Sequence, residues 1–278
     1  MFYGYGILNN HVPTLRATVM GANGGGFTIT DTDVLAFITA ASITDATQKS
    51  AINKLVTDLK SASIWTKMKA IYPFVGGTAS QHKFNLKDSR DLDAAYRLNF
   101  VNGWTHSSTG AKPNGTDAYA DTKLNDNTIL SLNSTHISSY LRTNIDGLHC
   151  DLGLSTFVND DISIFSKYLD VLYPRIHNTN SGIANTTSSL GLFISNRVSS
   201  TEVRAFQNNS LKLVTSDSSS QANGNLFIGA MNRPTLTTGF YSPRETAFAS
   251  IGDGLTDTEA SNFYTAVQAF NTTLSRNV

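Results

Sequence analysis

Glutamate is nearly absent from this chain of 278 residues, occurring only as Glu202, Glu245 and Glu259. Charge of either sign is sparse at 15% of residues, and the formal net charge is zero. That balance gives no electrostatic reason to expect nucleic acid or an anionic membrane as a partner. The single cysteine, Cys150, excludes an intrachain disulfide. It falls in the alternating run Leu148, Cys150, Leu152, Leu154, where a small buried hydrophobe fits better than a reactive thiol. No stretch offers the ~18 uninterrupted apolar residues that span a bilayer. The N-terminal MFYGYGILNNHVP lacks the basic region and apolar run of a secretory signal, so a soluble protein without an export signal is expected.

What fills the chain instead is Ser, Thr, Asn and Gly, a composition that favours turns and strands over long helices. Between Trp65 and Phe100 three runs alternate. Trp65, Met68, Ala70, Tyr72 and Phe74 share one side; Phe84 and Leu86 follow; then come Tyr96, Leu98 and Phe100. Period-two patterning suits half-buried antiparallel strands, because successive side chains leave a strand on opposite faces. Thr135, Ile137, Ser139 and Leu141 alternate with His136, Ser138, Tyr140 and Arg142. Further strands are expected at Leu148–Leu154, Ile162–Ile164, Leu190–Ile194, Leu226–Ala230 and Arg244–Ile251. Val203–Phe206 and Leu211–Val214 flank Asn208-Asn209-Ser210, a hairpin signal. Many short strands with regular turns predict an all-β, two-sheet antiparallel sandwich, and a chain this long can bury its core as one domain.

Helices sit at the periphery. Asp33–Ala41 is a short apolar piece that fits a helix or a buried strand. After it, Thr44 can cap a helix whose apolar stripe is Ile52, Leu55, Val56 and Leu59. A capping box, Thr256 with Glu259, opens a C-terminal helix with the stripe Ala260, Phe263, Tyr264, Val267, Phe270 and Leu274. Residues 1–30, with Gly24-Gly25-Gly26, carry apolar anchors but no regular pattern. They read as an N-terminal arm, or a terminal strand plus linker, ahead of a sandwich domain over residues 31–278.

The stretch YPFVGGTASQHKFNLKDSRDLDAAYRLNF, followed by NGWTHSSTGAKPNGTDAYADT, resembles the concanavalin A-like (LamG-type) jelly-roll domains encoded in many phage genomes. RETAFASIGDGLTDTEASNFYTAVQAFNTTLSR is similar to their C-terminal end. The resemblance covers roughly residues 33–276. It implies a jelly-roll sandwich in a non-enzymatic virion protein: a tail fibre, spike or head decoration. It further implies docking to other virion proteins through the arm, a homotrimer, and host-surface carbohydrate as a possible ligand. Fold alone does not fix function, so glycoside hydrolysis on the same sandwich and pure scaffolding are the alternatives.

Chemistry is hard to find in the residues. Glucanases of this fold place carboxylates at alternate strand positions, so that two face one cleft at ~5 Å for retention or ~6.5–9.5 Å for inversion. Asp91-Leu92-Asp93 and Asp31-Thr32-Asp33 have that spacing, but they sit beside Ser or Thr at element starts, where aspartate caps or turns. The six histidines show no zinc-ligand spacing. Ser80-Gln81-His82-Lys83 lacks the companion motifs of a serine acyltransferase, and no Gly-Lys follows the triple glycine. No cofactor is expected. A structural calcium site built from loop carbonyls and Asp121, Asp126 or Asp146 would leave little sequence trace and stays open. For ligand binding, the loop after the Tyr96–Phe100 run is the leading place, with Trp104, His106, Tyr119 and Asp121 among glycines and serines. The first reading of Trp104 and Tyr119 is amphipathic plugging of the sandwich edge, and a sugar platform is the second. Tyr140 and Arg142, expected to face outward, form another candidate pair; Arg233 and Arg244 are expected to be solvated.

Overall fold

The computed structural model describes residues 17–20, 26–158, 160–178, 183–215 and 220–278. An antiparallel pair, β1 (Ala17–Met20) and β2 (Gly26–Ile29), leads into α1 (Thr32–Ala40) and α2 (Ala46–Ser61). Then come β3 (Met68–Tyr72), the single turn α3 (Ala79–His82), β4 (Asn99–Val101), β5 (Trp104–Ser107), β6 (Gly110–Pro113) and β7 (Tyr119–Asn125). A short α4 (Asp126–Ile129) precedes β8 (Thr135–Leu141), β9 (Leu152–Leu154), β10 (Ile162–Tyr168), β11 (Val171–Ile176) and β12 (Ala184–Asn185). The chain continues through β13 (Gly191–Ser199), β14 (Glu202–Gln207), β15 (Ser210–Thr215), β16 (Asn225–Ile228), β17 (Met231–Asn232) and β18 (Thr246–Gly252) to α5 (Asp257–Thr273).

These strands build two eight-stranded sheets. Sheet I runs β12-β11-β10-β9-β16-β7-β4, with β17 against β9; sheet II runs β15-β14-β13-β8-β18-β6-β5, with β3 against β18. Every pairing is antiparallel except β17 on β9, and the result is a jelly-roll-type sandwich. Between the sheets lies a core that includes Leu152, Leu154, Ile162, Ile164 and Ile228 from sheet I and Ile137, Leu141, Phe193 and Ile251 from sheet II. Sheet II is covered on its other face as well. There Tyr140, Leu192, Ile194 and Phe248 pack under α1, α2 and α5, with the Phe248 ring meeting Phe263 at 5.9 Å and Phe270 at 6.2 Å. The molecule is therefore three-layered: helices, sheet II, sheet I.

The Asn208-Asn209 turn forms as expected, both residues taking left-handed φ values (47° and 62°) between β14 and β15. The capping box of α5 is complete, with Glu259 N–H donating to Thr256 Oγ1 and Thr256 N–H to Glu259 Oε2. At α2, however, the cap is Asp45, whose carboxylate accepts from Gln48 N–H at 2.8 Å; Thr44 stands one residue too early. Asp33–Ala41 resolves as helix.

The run from Trp65 to Phe100 differs most from expectation. Trp65–Lys67 is a 3₁₀ turn, and only Met68–Tyr72 and Asn99–Val101 are strands. Met68 and Ile71 face the helical layer while Ala70 and Tyr72 face the inter-sheet core, so β3 is buried on both sides. Asn85, placed on the polar side by the alternation, is buried. Its side chain accepts from Ile71 N–H (2.9 Å) and donates to the Lys69 and Ala95 carbonyls, doing along the edge of β3 what a paired strand would do. Tyr96 adopts left-handed geometry (φ 58°), which breaks the last run before it can start a strand.

Most of the segment assigned to an N-terminal arm, residues 1–16 and 21–25, lies outside the described residues. Ile29, at its end, is buried in the helical-layer core. No helix among the described residues is long and apolar enough to cross a membrane.

Candidate functional site

The sequence-predicted residues fall in three places. The stretch after the Tyr96–Phe100 run, expected to be a loop, forms β5 to β7, and Trp104 and His106 lie on β5, the edge strand of sheet II. Phe100 lies on β4, the edge strand of sheet I, and its ring meets Trp104 at 5.2 Å and His106 at 4.6 Å, both edge-to-face. The indole N–H donates to the Tyr119 carbonyl at 3.2 Å. Gly229 (φ 82°) lies under the indole, where a Cβ would sit 3.1 Å from Trp104 Cη2. Trp104 thus closes the open seam between the two sheets.

His82 joins this cluster from α3, a convergence the spacing of the histidines did not reveal. Gly77 N–H donates to His82 Nε2 at 3.2 Å, which leaves the ring proton on Nδ1; that proton is donated to Nδ1 of His106 at 3.0 Å. Burial, then the neighbouring His106 ring, pushes His82 down to about 3. Burial also holds His106 below the ordinary histidine range. Both rings are accordingly neutral at pH 7.

Tyr119 and Asp121 face away from the inter-sheet core on β7. Tyr119 stacks on Phe227 at 4.4 Å, and Asp121 is held by Lys123 Nζ (2.9 Å) and Asn225 Nδ2 (3.1 Å). Tyr140 does not face solvent: it is fully buried beneath α5, its hydroxyl donating to Gln268 Oε1 and accepting from Val278 N–H. Arg142 pairs with Glu245 and donates to the Arg276 carbonyl. The reason is the helical layer, which covers the face that alternation alone assigned to water. Arg244 is likewise buried, not solvated: it is ion-paired with Asp151 at 3.1 Å and donates to the Ile145 and Lys167 carbonyls.

Asp121, Asp126 and Asp146 do not converge. Asp126 is buried against His177 (2.8 Å) and Ala222 N–H, while Asp146 accepts from the Leu169 and Asp170 amides. Asp31 and Asp33 share Lys60, and Asp91 and Asp93 share Arg97; Asp31 also caps α1. No group of three or more metal-ligating side chains occurs among the described residues.

An aromatic-lined cavity lies elsewhere, on the outer face of sheet I. It encloses about 240 Å³ and is lined by Leu148, Phe157, Phe165, Tyr168, Tyr173, Arg175, Met231 and Phe240. Leu172 and Ile176 turn into the inter-sheet core, so Tyr173 and Arg175 between them turn outward. Tyr173 stands opposite Phe165 on β10. The segment after β17 folds over them, placing Phe240 edge-on to Phe165 at 5.6 Å. Phe165, Met231 and Cys150 form a small core of their own beneath. Gly153 permits it: a Cβ there would meet Cys150 Sγ at 2.6 Å. Burial drives the Cys150 thiol well above its usual range, leaving it inert. Arg175 is ion-paired with Asp161, whose side chain is fully buried.

The strand Val171–Ile176 was not among those expected, and it contains Pro174, a residue that disfavours a strand reading. β11 tolerates it because β12 pairs only with Val171 and Leu172. The available signal was the alternation of Tyr173 and Arg175 with Leu172 and Ile176. Chemically, the cavity offers aromatic faces, two phenols and a guanidinium, but no carboxylate. Such a surface is suited to holding a ligand.

No family model matches the chain, and no curated protein matches it in sequence. Solved structures share its fold. A Trypanosoma rangeli sialidase mutant displaying trans-sialidase activity superposes with a TM-score of 0.52 at 7% identity, over 80% of this chain and 39% of the sialidase. The binding domain of botulinum neurotoxin serotype D matches at 0.47 with 9% identity, over 73% and 52%. Domain 4 of a Geobacillus stearothermophilus extracellular arabinanase, in complex with arabinotriose, matches at 0.43 with 14% identity, over 71% and 98%. Identities this low speak to fold alone, and only the first likeness is strong enough to do so. It supports the β-sandwich fold.

Proposed function

We propose that this chain is a non-catalytic attachment protein that holds a glycan in the aromatic pocket of sheet I. The observation that carries the reading is the pocket itself, an aromatic-walled cavity with polar groups supplied by Tyr168, Tyr173 and Arg175. The C–H face of a sugar ring packs on aromatic faces while phenols and a guanidinium bond its hydroxyls. Binding without turnover is supported by the state of the acids: each described carboxylate is engaged by a cation, an amide or a hydroxyl, as with Asp151, Asp161, Glu245 and Glu259. The resemblance of Tyr72–Phe100 and Arg244–Arg276 to phage jelly-roll domains supports display on a virion, as a fibre, spike or decoration, docked through the N-terminal arm as a homotrimer.

Glycan-array binding by the wild-type protein and by Tyr173→Ala tests the pocket. Tyr173 is half-buried at the rim, so the variant should fold; it should lose at least tenfold in affinity. Unchanged binding by a folded Tyr173→Ala protein would remove the pocket from the proposal. Release of reducing sugar from a bound polysaccharide would remove its non-catalytic part.

A further inference from the structure

The floor and the rim of the pocket differ in chemistry. Phe165 and Met231 are almost fully buried, with Cys150 in the same cluster, and Phe240 leans over them. Tyr173 packs against the same cluster from the side. The polar lining groups are Tyr168, Tyr173 and Arg175, and the charge of Arg175, the one charged lining residue, is balanced by buried Asp161. The lining itself therefore carries no net charge, and a further cation, Arg233, lies over the Phe240 ring at 5.1 Å with its Nε donating to the Thr237 carbonyl. At about 240 Å³ it lies below the range of drug-sized sites and suits a single sugar ring.

Resting on the glycan reading above, we propose that this pocket selects a neutral sugar unit bearing a methyl group, as an acetamido or 6-deoxy substituent, and seats that methyl on the Phe165–Met231–Phe240 floor. A plain hexose presents a hydroxyl or hydroxymethyl at every substituted position. Whichever of these entered the floor would give up its water partners and find no replacement. A methyl loses nothing and gains burial against two rings and a thioether. An anionic sugar would bring a charge beside a lining cation that already has its counter-ion in Asp161.

The test is calorimetric titration of the full chain with free monosaccharides of the gluco, galacto and manno series: parent, N-acetylamino, 6-deoxy and uronate forms. In whichever series binds, a methyl-bearing form should bind about fourfold more tightly than the parent, the ratio expected for burying one methyl-sized group. The acetamido and 6-deoxy arms show which substituent supplies the methyl. Phe240→Ala, with an unshifted thermal transition, should bind parent and methyl-bearing forms equally. Parity in the wild type, preference for a uronate, or a preference that survives Phe240→Ala would overturn the inference and leave glycan binding standing. Failure of every sugar to bind would overturn both.

Discussion

Lowering the pH from 7 to 5 should cost this protein stability through two buried histidines. His136 donates from Nδ1 to the Asp253 carbonyl at 2.6 Å and accepts at Nε2 from Ser250 Oγ at 3.1 Å, a pattern that needs only one ring proton. Burial pushes it down to about 4, and burial pushes His82 to about 3. An unfolded histidine titrates near 6.5, so between about 6.5 and 4 the unfolded chain holds more protons than the native one. Stability is complete above that window and falls as pH drops through it. Each histidine then contributes a loss of about 1.8 kcal/mol between pH 7 and 5, close to 4 kcal/mol together. Against a typical total of ~5–15 kcal/mol this is readily measured. Urea denaturation at the two pH values gives the difference directly, and His136→Gln should shrink it by about 1.8 kcal/mol whatever the variant's stability at pH 7. If wild type and His136→Gln lose the same amount, the neutral-burial argument for His136 is wrong.

Asp151→Asn should cost about 3–5 kcal/mol, because it leaves the Arg244 guanidinium buried without its counter-charge. Asp58→Asn, at the exposed pair with Lys54, should change urea stability by no more than about 0.5 kcal/mol and serves as the control. Thr256→Ala removes the acceptor for Glu259 N–H and should lower stability by about 1 kcal/mol in the same assay.

The features legible in the sequence were those whose cause is local. Asn208-Asn209 needs only its own left-handed tolerance, and Thr256 with Glu259 needs only one helical turn. The sandwich was legible because Ile137 and Leu141, or Ile162 and Ile164, repeat at period two whatever lies across from them. The readings that failed depend on a third element. Tyr140 looks solvent-facing until α5 lies on it, and Asn85 looks exposed until its amide is found bonded to β3. β5 to β7 read as loop because their core positions are small, Ala111, Ala120 and Thr122, which fit close to the opposite sheet but leave no hydrophobic signature. The pocket was the least legible, since Phe165, Tyr173, Met231 and Phe240 come from four separated segments and meet only after sheet I has formed.

That layering also decides where a ligand can go. The outer face of sheet II is occupied by α1, α2 and α5, which withdraws Tyr140 from any ligand role that needs solvent access. Among the described residues the outer face of sheet I carries no helix. Across it the register places Asn99, Asp121, Phe227, Gly153, Ser163 and Arg175 in one line over β4, β7, β16, β9, β10 and β11. Asp121 and Arg175 are thus on a common face, four strand spacings or roughly 19 Å apart. The Tyr119–Phe227 stack stands on β7 and β16, directly beside Gly153 on β9, and the aromatic pocket lies on the other side of that glycine, where the absence of a side chain lets Cys150 pack close. Two of the residues singled out from sequence therefore lie on the same surface as the pocket, and a ligand longer than one sugar would extend from the pocket toward them, not toward Trp104 and His106 at the closed seam.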